Sequence, residues 1–276
     1  MHIFAFSDEA AASVDGQIAA ISRNALDGTE IRGVDGQNVS DISGEKAKEV
    51  LRKLKDHGLR VWSVGSPIGK IDIVRDDFTQ HLERFRHTLE IANLLECDRM
   101  RVFSFYLPGG DAPEKYRNEV IDRLGRMVEI AGSSDVTLCH ENEKGIYGDN
   151  AARCADLLDA VPDLHCIFDP ANFIQCGQGI PEAWELLGAR VDYLHIKDAL
   201  PDGTVVPAGK GIGSLPEILS DFRARGGKAL TVEPHLRVFD GFSGLEKDQK
   251  SLISTFAYPS SDAAFDAACD ALKALL

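Results

Sequence analysis

VTLCHE at 136–141 is an apolar, strand-like run that ends on a carboxylate, and three later runs share its form: HCIFD (165–169), VDYLHI (191–196) and KALTVE (228–233). Earlier in the chain HIFAF (2–6), TEIR (29–32), RVWSV (60–64) and RMRVFSF (99–105) have the same β-branched and aromatic character. Between them lie stretches with apolar residues at three- and four-residue steps. Phe78, Leu82, Phe85, Leu89 and Ala92 show this within 78–95, and 45–57 and 114–131 are similar. Eight strands alternating with helices predict an α/β fold, a parallel (β/α)₈ TIM barrel. A doubly wound open sheet is the alternative, but no G-x-G-x-x-G follows the first strand. No linker, repeat or low-complexity segment divides the chain, so residues 1–276 are expected to form one domain. A helix over 260–275 with a Ser/Asp cap closes it.

Length and composition fit this reading and exclude others. A chain of 276 residues is long enough for one barrel of about 250 residues. The net charge of −14, with no dense Lys/Arg run, argues against a nucleic-acid partner, because gripping phosphates needs a basic footprint. Six cysteines (97, 139, 154, 166, 176, 269) include no C-x-x-C pair and are expected as buried free thiols in a reducing compartment. The N-terminal MHIFAFSDEA lacks a basic n-region, and no segment approaches the roughly 18 apolar residues of a membrane span. A cytoplasmic protein without a membrane partner is expected.

Four strand ends carry metal-competent side chains: Glu141, Asp169, His195 and Glu233. Their separations of 28, 26 and 38 residues are about one strand-plus-helix unit per step, so a parallel barrel brings them to one face. Three carboxylates and an imidazole suit a divalent cation such as Mn²⁺, Mg²⁺, Co²⁺ or Zn²⁺. Side chains two apart share a strand face. If Glu233 faces the mouth, so do Thr231 and His235, while Leu230 and Val232 face the helices. By the same parity Tyr193 and Lys197 accompany His195, and Thr137 and Cys139 accompany Glu141. Taken alone, each Glu or Asp candidate reads more readily as a helix N-cap or solvated loop residue, and the histidine as a structural one. The set of four, with consistent parity, favours a shared metal site.

VTLCHENEKGIYGD (136–149), FDPANF (168–173), YLHIKDA (193–199) and VEPH (232–235) resemble the xylose isomerase-like barrels. That superfamily contains the sugar phosphate isomerases/epimerases and AP endonuclease family 2, and the resemblance runs over most of the chain. It implies a metal on Glu141, Asp169, His195 and Glu233, with Glu141 and Glu233 also exchanging the substrate's proton from opposite faces. It further implies a small sugar or polyol substrate and a homo-oligomer. Removing a proton beside a carbonyl leaves an enediolate, whose charge needs a cation or strong donors nearby. The leading expectation is therefore a metal-dependent sugar or sugar-phosphate isomerase/epimerase. A keto-polyol dehydratase resembling the inosose and dehydroshikimate dehydratases is the first alternative, and a non-catalytic carbohydrate-binding barrel the second. The apurinic endonucleases share the barrel but need a histidine-rich multi-zinc site and a basic groove. One departure narrows the resemblance: Asn172 stands where ketose 3-epimerases carry a histidine three residues after the metal aspartate.

Further mouth candidates are cationic or polar. Asn172, Lys197, His235, Arg32, Arg101 and Lys70 (in SPIGK, 66–70) are expected substrate contacts, and convergence of the cations would favour a phosphorylated or carboxylated substrate. A salt bridge from Lys197 to Asp198 is the competing reading for that lysine. SPIGK lacks the G-x-x-x-x-G-K-[ST] of a P-loop. Glu143 is a second-sphere or alternative ligand candidate. Trp62 and Phe103 are expected mainly in the core, with an apolar wall for a sugar as the alternative. PAGKGIGSLPEI (207–218) reads as a loop feeding a helix capped by Ser214.

Overall fold

The computed structural model describes residues 1–238 and 258–276. Eight strands form its sheet: β1 (His2–Ala5), β2 (Gly28–Ile31), β3 (Arg60–Val64), β4 (Arg99–Val102), β5 (Thr137–Glu141), β6 (His165–Phe168), β7 (Val191–Ile196) and β8 (Ala229–Val232). Each lies within one or two residues of its expected range except β4. Their order is β1-β8-β7-β6-β5-β4-β3-β2, and every ladder is parallel. The seam between β1 and β2 is bridged by Asp27 N–H donating to the Ile3 carbonyl (2.9 Å) and Thr29 Oγ1 donating to the Ala5 carbonyl (3.0 Å). The result is a nearly closed TIM barrel, so the open-sheet alternative falls.

The helices packed between strands include α1 (Val14–Arg23), α2 (Gly44–Asp56), α3 (Phe78–Leu94), α4 (Arg117–Gly132) and α5 (Ala151–Ala160). They continue with α6 (Pro170–Gln175), α7 (Ile180–Leu187), α8 (Leu215–Ala224) and α9 (Ser261–Lys273). Short polar residues start several of them. Ser43, Asp77, Asn150 and Ser260 each accept a first-turn amide at the head of α2, α3, α5 and α9. Ser214 does not. It precedes α8 with a left-handed backbone (φ 50°), not the extended one from which a cap reaches the first-turn amides, and its side chain makes no such bond.

Strand alternation divides the core in two. Leu138, Phe168, Leu194, Leu230 and Val232 join the large cluster between sheet and helices. Phe4, Cys139, Ile167, Tyr193 and Ala229 form a separate cluster inside the barrel, with Trp62 packed against it. Trp62 stacks on Phe4 (centroids 5.2 Å apart) and carries the Arg99 guanidinium 4.2 Å from its own ring, at the strands' N-terminal end. This plug fills the N-terminal end of the barrel interior, and the ligand candidates lie at the opposite, C-terminal end of the strands. Strand β4 stops at Val102 because the chain beyond it pairs with the 66–71 segment: Phe103 N–H donates to Ile68 O and Phe105 N–H to Gly69 O. Gly69 (φ +92°) permits that approach, since a Cβ there would fall 2.0 Å from the Phe103 carbonyl oxygen. The glycine of SPIGK thus serves backbone packing. All six cysteines are free, five of them buried. Among the described residues no helix is long and apolar enough to cross a membrane.

Candidate metal centre at the barrel mouth

Each expected ligand is delivered by a strand end. Glu141 closes β5, His195 is the penultimate residue of β7, and Asp169 and Glu233 follow β6 and β8. One ligand atom from each lies within 4.8 Å of the others, and all four side chains are buried. The Asp169 carboxylate has two tasks. Its Oδ1 caps α6 by accepting the Asn172 amide (2.9 Å), which leaves Oδ2 for the mouth. Asn142 fixes that turn from β5: its Nδ2 donates to the Asp169 carbonyl (2.9 Å) and its Oδ1 accepts the Asp169 amide (3.0 Å). His195 turns Nδ1 toward Glu141 Oε1 (2.9 Å) and Glu233 Oε2 (3.3 Å), and Nε2 toward Glu30 Oε2 (3.1 Å).

The donor set fits a divalent cation. Asp169 Oδ2 and Glu233 Oε2 are buried oxygens that accept no well-directed hydrogen bond, although Lys197 Nζ stands 2.9 and 3.3 Å from them. Three clustered carboxylates are costly without positive charge. Here Lys197, Arg101 and His195 supply it. Burial alone would raise the Glu141 carboxyl, yet His195 and Arg101 hold it down at about 2. Burial is likewise outweighed at Glu233, which Lys197, His235 and His195 keep well below the ordinary carboxylate range. At Asp169 burial prevails over Lys197 and pushes the carboxyl up to about 7. His195 is driven well above its usual value, since Glu141 and Glu30 outweigh its burial.

The six residues expected to contact substrate all line one cavity with Glu141 and Glu233, and no apolar side chain lines it. Arg101 donates to Glu141 Oε2 (3.0 Å) and to the carbonyls of Gly65 and Ser66. Arg32 grips Asp8 through two nitrogens (2.9 and 3.0 Å) and Glu9 (3.0 Å), with Glu233 at 3.7 Å. Lys70 pairs with Glu143 (3.0 Å), and Asn172 Nδ2 lies 3.3 Å from Glu141 Oε1. His235 reaches the mouth through a left-handed backbone (φ 42°) past the end of β8, placing Nδ1 3.2 Å from Glu233 Oε1. The Lys197–Asp198 pair is not formed. Asp198 instead accepts the amides of Gly209, Gly211 and Gly213, each at 2.9 Å, and holds the 207–213 loop. These ion pairs contract the cavity to about 20 Å³, room for one water.

Glu30 and Glu9 escaped the sequence reading. Glu30 is fully buried in β2, where it receives the Tyr193 hydroxyl (3.0 Å) as well as facing His195. Glu9 accepts the His235 amide (2.7 Å), and burial pushes its carboxyl up to about 7. A carboxylate inside an otherwise strand-like TEIR was the available signal for Glu30; Glu9 had none.

A family model described as a xylose isomerase-like TIM barrel matches residues 18–255. No curated protein matches the chain. Among solved structures, D-psicose 3-epimerase with D-tagatose from Clostridium cellulolyticum H10 superposes with a TM-score of 0.77 at 15% identity, covering 100% of this chain and 98% of that one. The probable 3-DHS dehydratase AsbF, involved in petrobactin synthesis in Bacillus anthracis, gives 0.75 at 17% identity over 99% and 98% of the two chains. The IOLI protein with a binding zinc atom gives 0.75 at 14% identity over 100% and 98%. Likeness at this identity establishes the shared fold.

Proposed function

The chain belongs to the xylose isomerase-like TIM barrel family, and on that footing we propose that it is a divalent-metal-dependent isomerase or epimerase of a small sugar or polyol ketone, acting by proton abstraction beside a carbonyl. The observation that carries this reading is the buried convergence of Glu141, Asp169, His195 and Glu233 within 4.8 Å. These residues would hold the cation, with His195 offering Nδ1. A bound cation supplies the positive charge that an enediolate oxygen requires. The zinc bound in one structural relative and the epimerase activity named for another support the reading.

Glu141 and Glu233 are ionised at neutral pH, held so by the cations and histidines around them. Each can therefore accept a proton. Glu141 ends β5 and Glu233 follows β8, three strands apart in the sheet order, so the two carboxylates approach the centre from different sides of the barrel mouth. Two opposed bases suit epimerisation, whereas one base shuttling a proton gives aldose–ketose isomerisation. Arg101 and Lys197 orient the two carboxylates, and Asn172 offers an amide to the Glu141 side. The dehydratase reading draws on Asn172 in place of the epimerase histidine, and on the likeness to the 3-DHS dehydratase.

Incubation with Mn²⁺ and a panel of keto-sugars in D₂O tests the proposal. Deuterium is expected at the carbon next to the carbonyl, and Glu233→Gln is expected to slow its entry by about 10²–10⁴ with the thermal melt retained. Wild-type exchange in that variant refutes the assignment. An enone absorbance identifies the dehydratase, and no exchange across the panel leaves carbohydrate binding alone.

A further inference from the structure

The barrel mouth is divided by strand. Metal candidates come from the ends of β5, β6, β7 and β8, with Lys197 past β7 paired to two of them, whereas Arg32, Lys70 and Arg101 come from β2, β3 and β4 or the segments just beyond them. These three strands are neighbours, so the cations form one continuous arc facing the carboxylate arc across a shared cavity. Aromatic rings hold the cationic arc in place. The Arg32 and Arg101 guanidinium carbons lie 4.3 and 4.9 Å from the Phe6 ring centre. Lys70 Nζ lies 4.4 Å over Phe103, with Arg101 5.0 Å from the same ring. Rings that would stack against the C–H face of a neutral sugar are thus backing cations instead, and no apolar side chain lines the cavity.

We propose that the substrate is anionic, a ketone whose carboxylate or phosphate sits against Lys70, Arg101 and Arg32 while its carbonyl end lies at the Glu141–Glu233 arc. The second half of this placement rests on the metal-centre reading; the first half rests on the cations alone. Three observations support it. Arg32 and Arg101 are only 2% and 4% exposed, so their charge is desolvated and fixed, as planar recognition of a carboxylate or phosphate requires. Arg32 is paired with Asp8 and Glu9 outside the cavity lining and lies 3.7 Å from Glu233 within it, so its guanidinium borders the same cavity as Lys70 and Arg101. Arg101 pairs with Glu141 at 3.0 Å, and a cation bound to Glu141 would draw on that same carboxylate. A buried guanidinium whose partner is shared in this way favours a further anion. Without metal and substrate, the two arcs neutralise each other across the mouth.

The test titrates the Mn²⁺-loaded full chain calorimetrically with D-fructose, 5-keto-D-gluconate and D-fructose 6-phosphate. One charge-assisted bond predicts at least about 10-fold tighter binding of an anionic ketose than of D-fructose. Lys70→Gln is expected to remove most of that preference. Glu143→Gln, which deletes the Lys70 carboxylate partner, is expected to increase it. Equal binding of the three ketoses, tighter binding of D-fructose, or a preference indifferent to both substitutions overturns the proposal. The better anionic probe distinguishes carboxylate from phosphate. Failure to take up Mn²⁺ counts against the metal centre alone, since the same titrations of the metal-free chain still read the anion preference. Deuterium exchange into D-fructose without an anion preference retains the proposed function and removes the anionic substrate.

Discussion

Replacing Glu30 by glutamine is expected to weaken divalent-metal binding by about 10- to 100-fold, or about 1.4–2.7 kcal/mol. The magnitude follows from a buried chain of contacts. Ser63 Oγ lies 3.0 Å from the Tyr193 hydroxyl, that hydroxyl donates to Glu30 Oε1 at 3.0 Å, and Glu30 Oε2 faces His195 Nε2 at 3.1 Å. A carboxylate here keeps the proton on Nε2 and leaves Nδ1, which faces Glu141 and Glu233, as the ligand atom. The amide preserves shape and one acceptor but removes the charge. The loss should therefore stay below the roughly 3–5 kcal/mol that follows outright breakage of a buried pair. Competition with a chelating fluorophore measures Mn²⁺ affinity, and urea unfolding of the metal-free protein reports whether the barrel persists. Unchanged affinity in a folded Glu30→Gln variant would refute the idea that Glu30 sets the ligand atom. Tyr193→Phe removes only the other contact of Glu30 and should weaken metal binding less.

Two further outcomes concern stability. His81 accepts the Gly69 amide at 2.9 Å, and burial lowers its pKa from 6.5 to about 4. The unfolded chain then binds this proton more readily than the folded one. The His81 contribution is intact above about pH 6.5 and disappears as pH falls toward 4, reaching a loss of about 2 kcal/mol at pH 5. Between pH 7 and 5 the wild type should lose about 2 kcal/mol more in urea unfolding than His81→Gln does, the other titrating groups being common to both; an identical pH response would contradict it. Gly211→Ala places a Cβ 2.2 Å from the Ala199 carbonyl oxygen and 2.3 Å from Asp198 Oδ1. It should cost about 1.5–3 kcal/mol by displacing an amide from the Asp198 carboxylate, and a variant as stable as wild type would show that the loop yields freely.

Strands and ligand candidates were legible because both obey local rules. Period-two alternation marks a buried strand, and parity then fixes which side chain enters the barrel. Glu141, Asp169, His195 and Glu233 stand out because each interrupts an apolar run at its end. Charge partners were not legible, since they are chosen by tertiary neighbours. Arg32 meets Asp8 and Glu9 from another strand end, and Lys197 bypasses adjacent Asp198 for Asp169 and Glu233. Glu30 sits in a strand of four residues, too short for alternation to reveal a buried acid. Ser214 has the composition of a cap but a backbone that turns left-handed, which residue type alone does not show.

The central claim is that Glu141, Asp169, His195 and Glu233 hold one divalent ion, and metal stoichiometry with affinity tests it most directly. After removal of adventitious metal, the wild-type chain titrated with Mn²⁺ should bind one ion per chain. Asp169→Asn, which retains a side chain able to cap α6 while removing a ligand charge, should lose that binding and keep its fold. A wild-type chain that takes up no ion, or an Asp169→Asn variant that binds as tightly as wild type, would contradict the account.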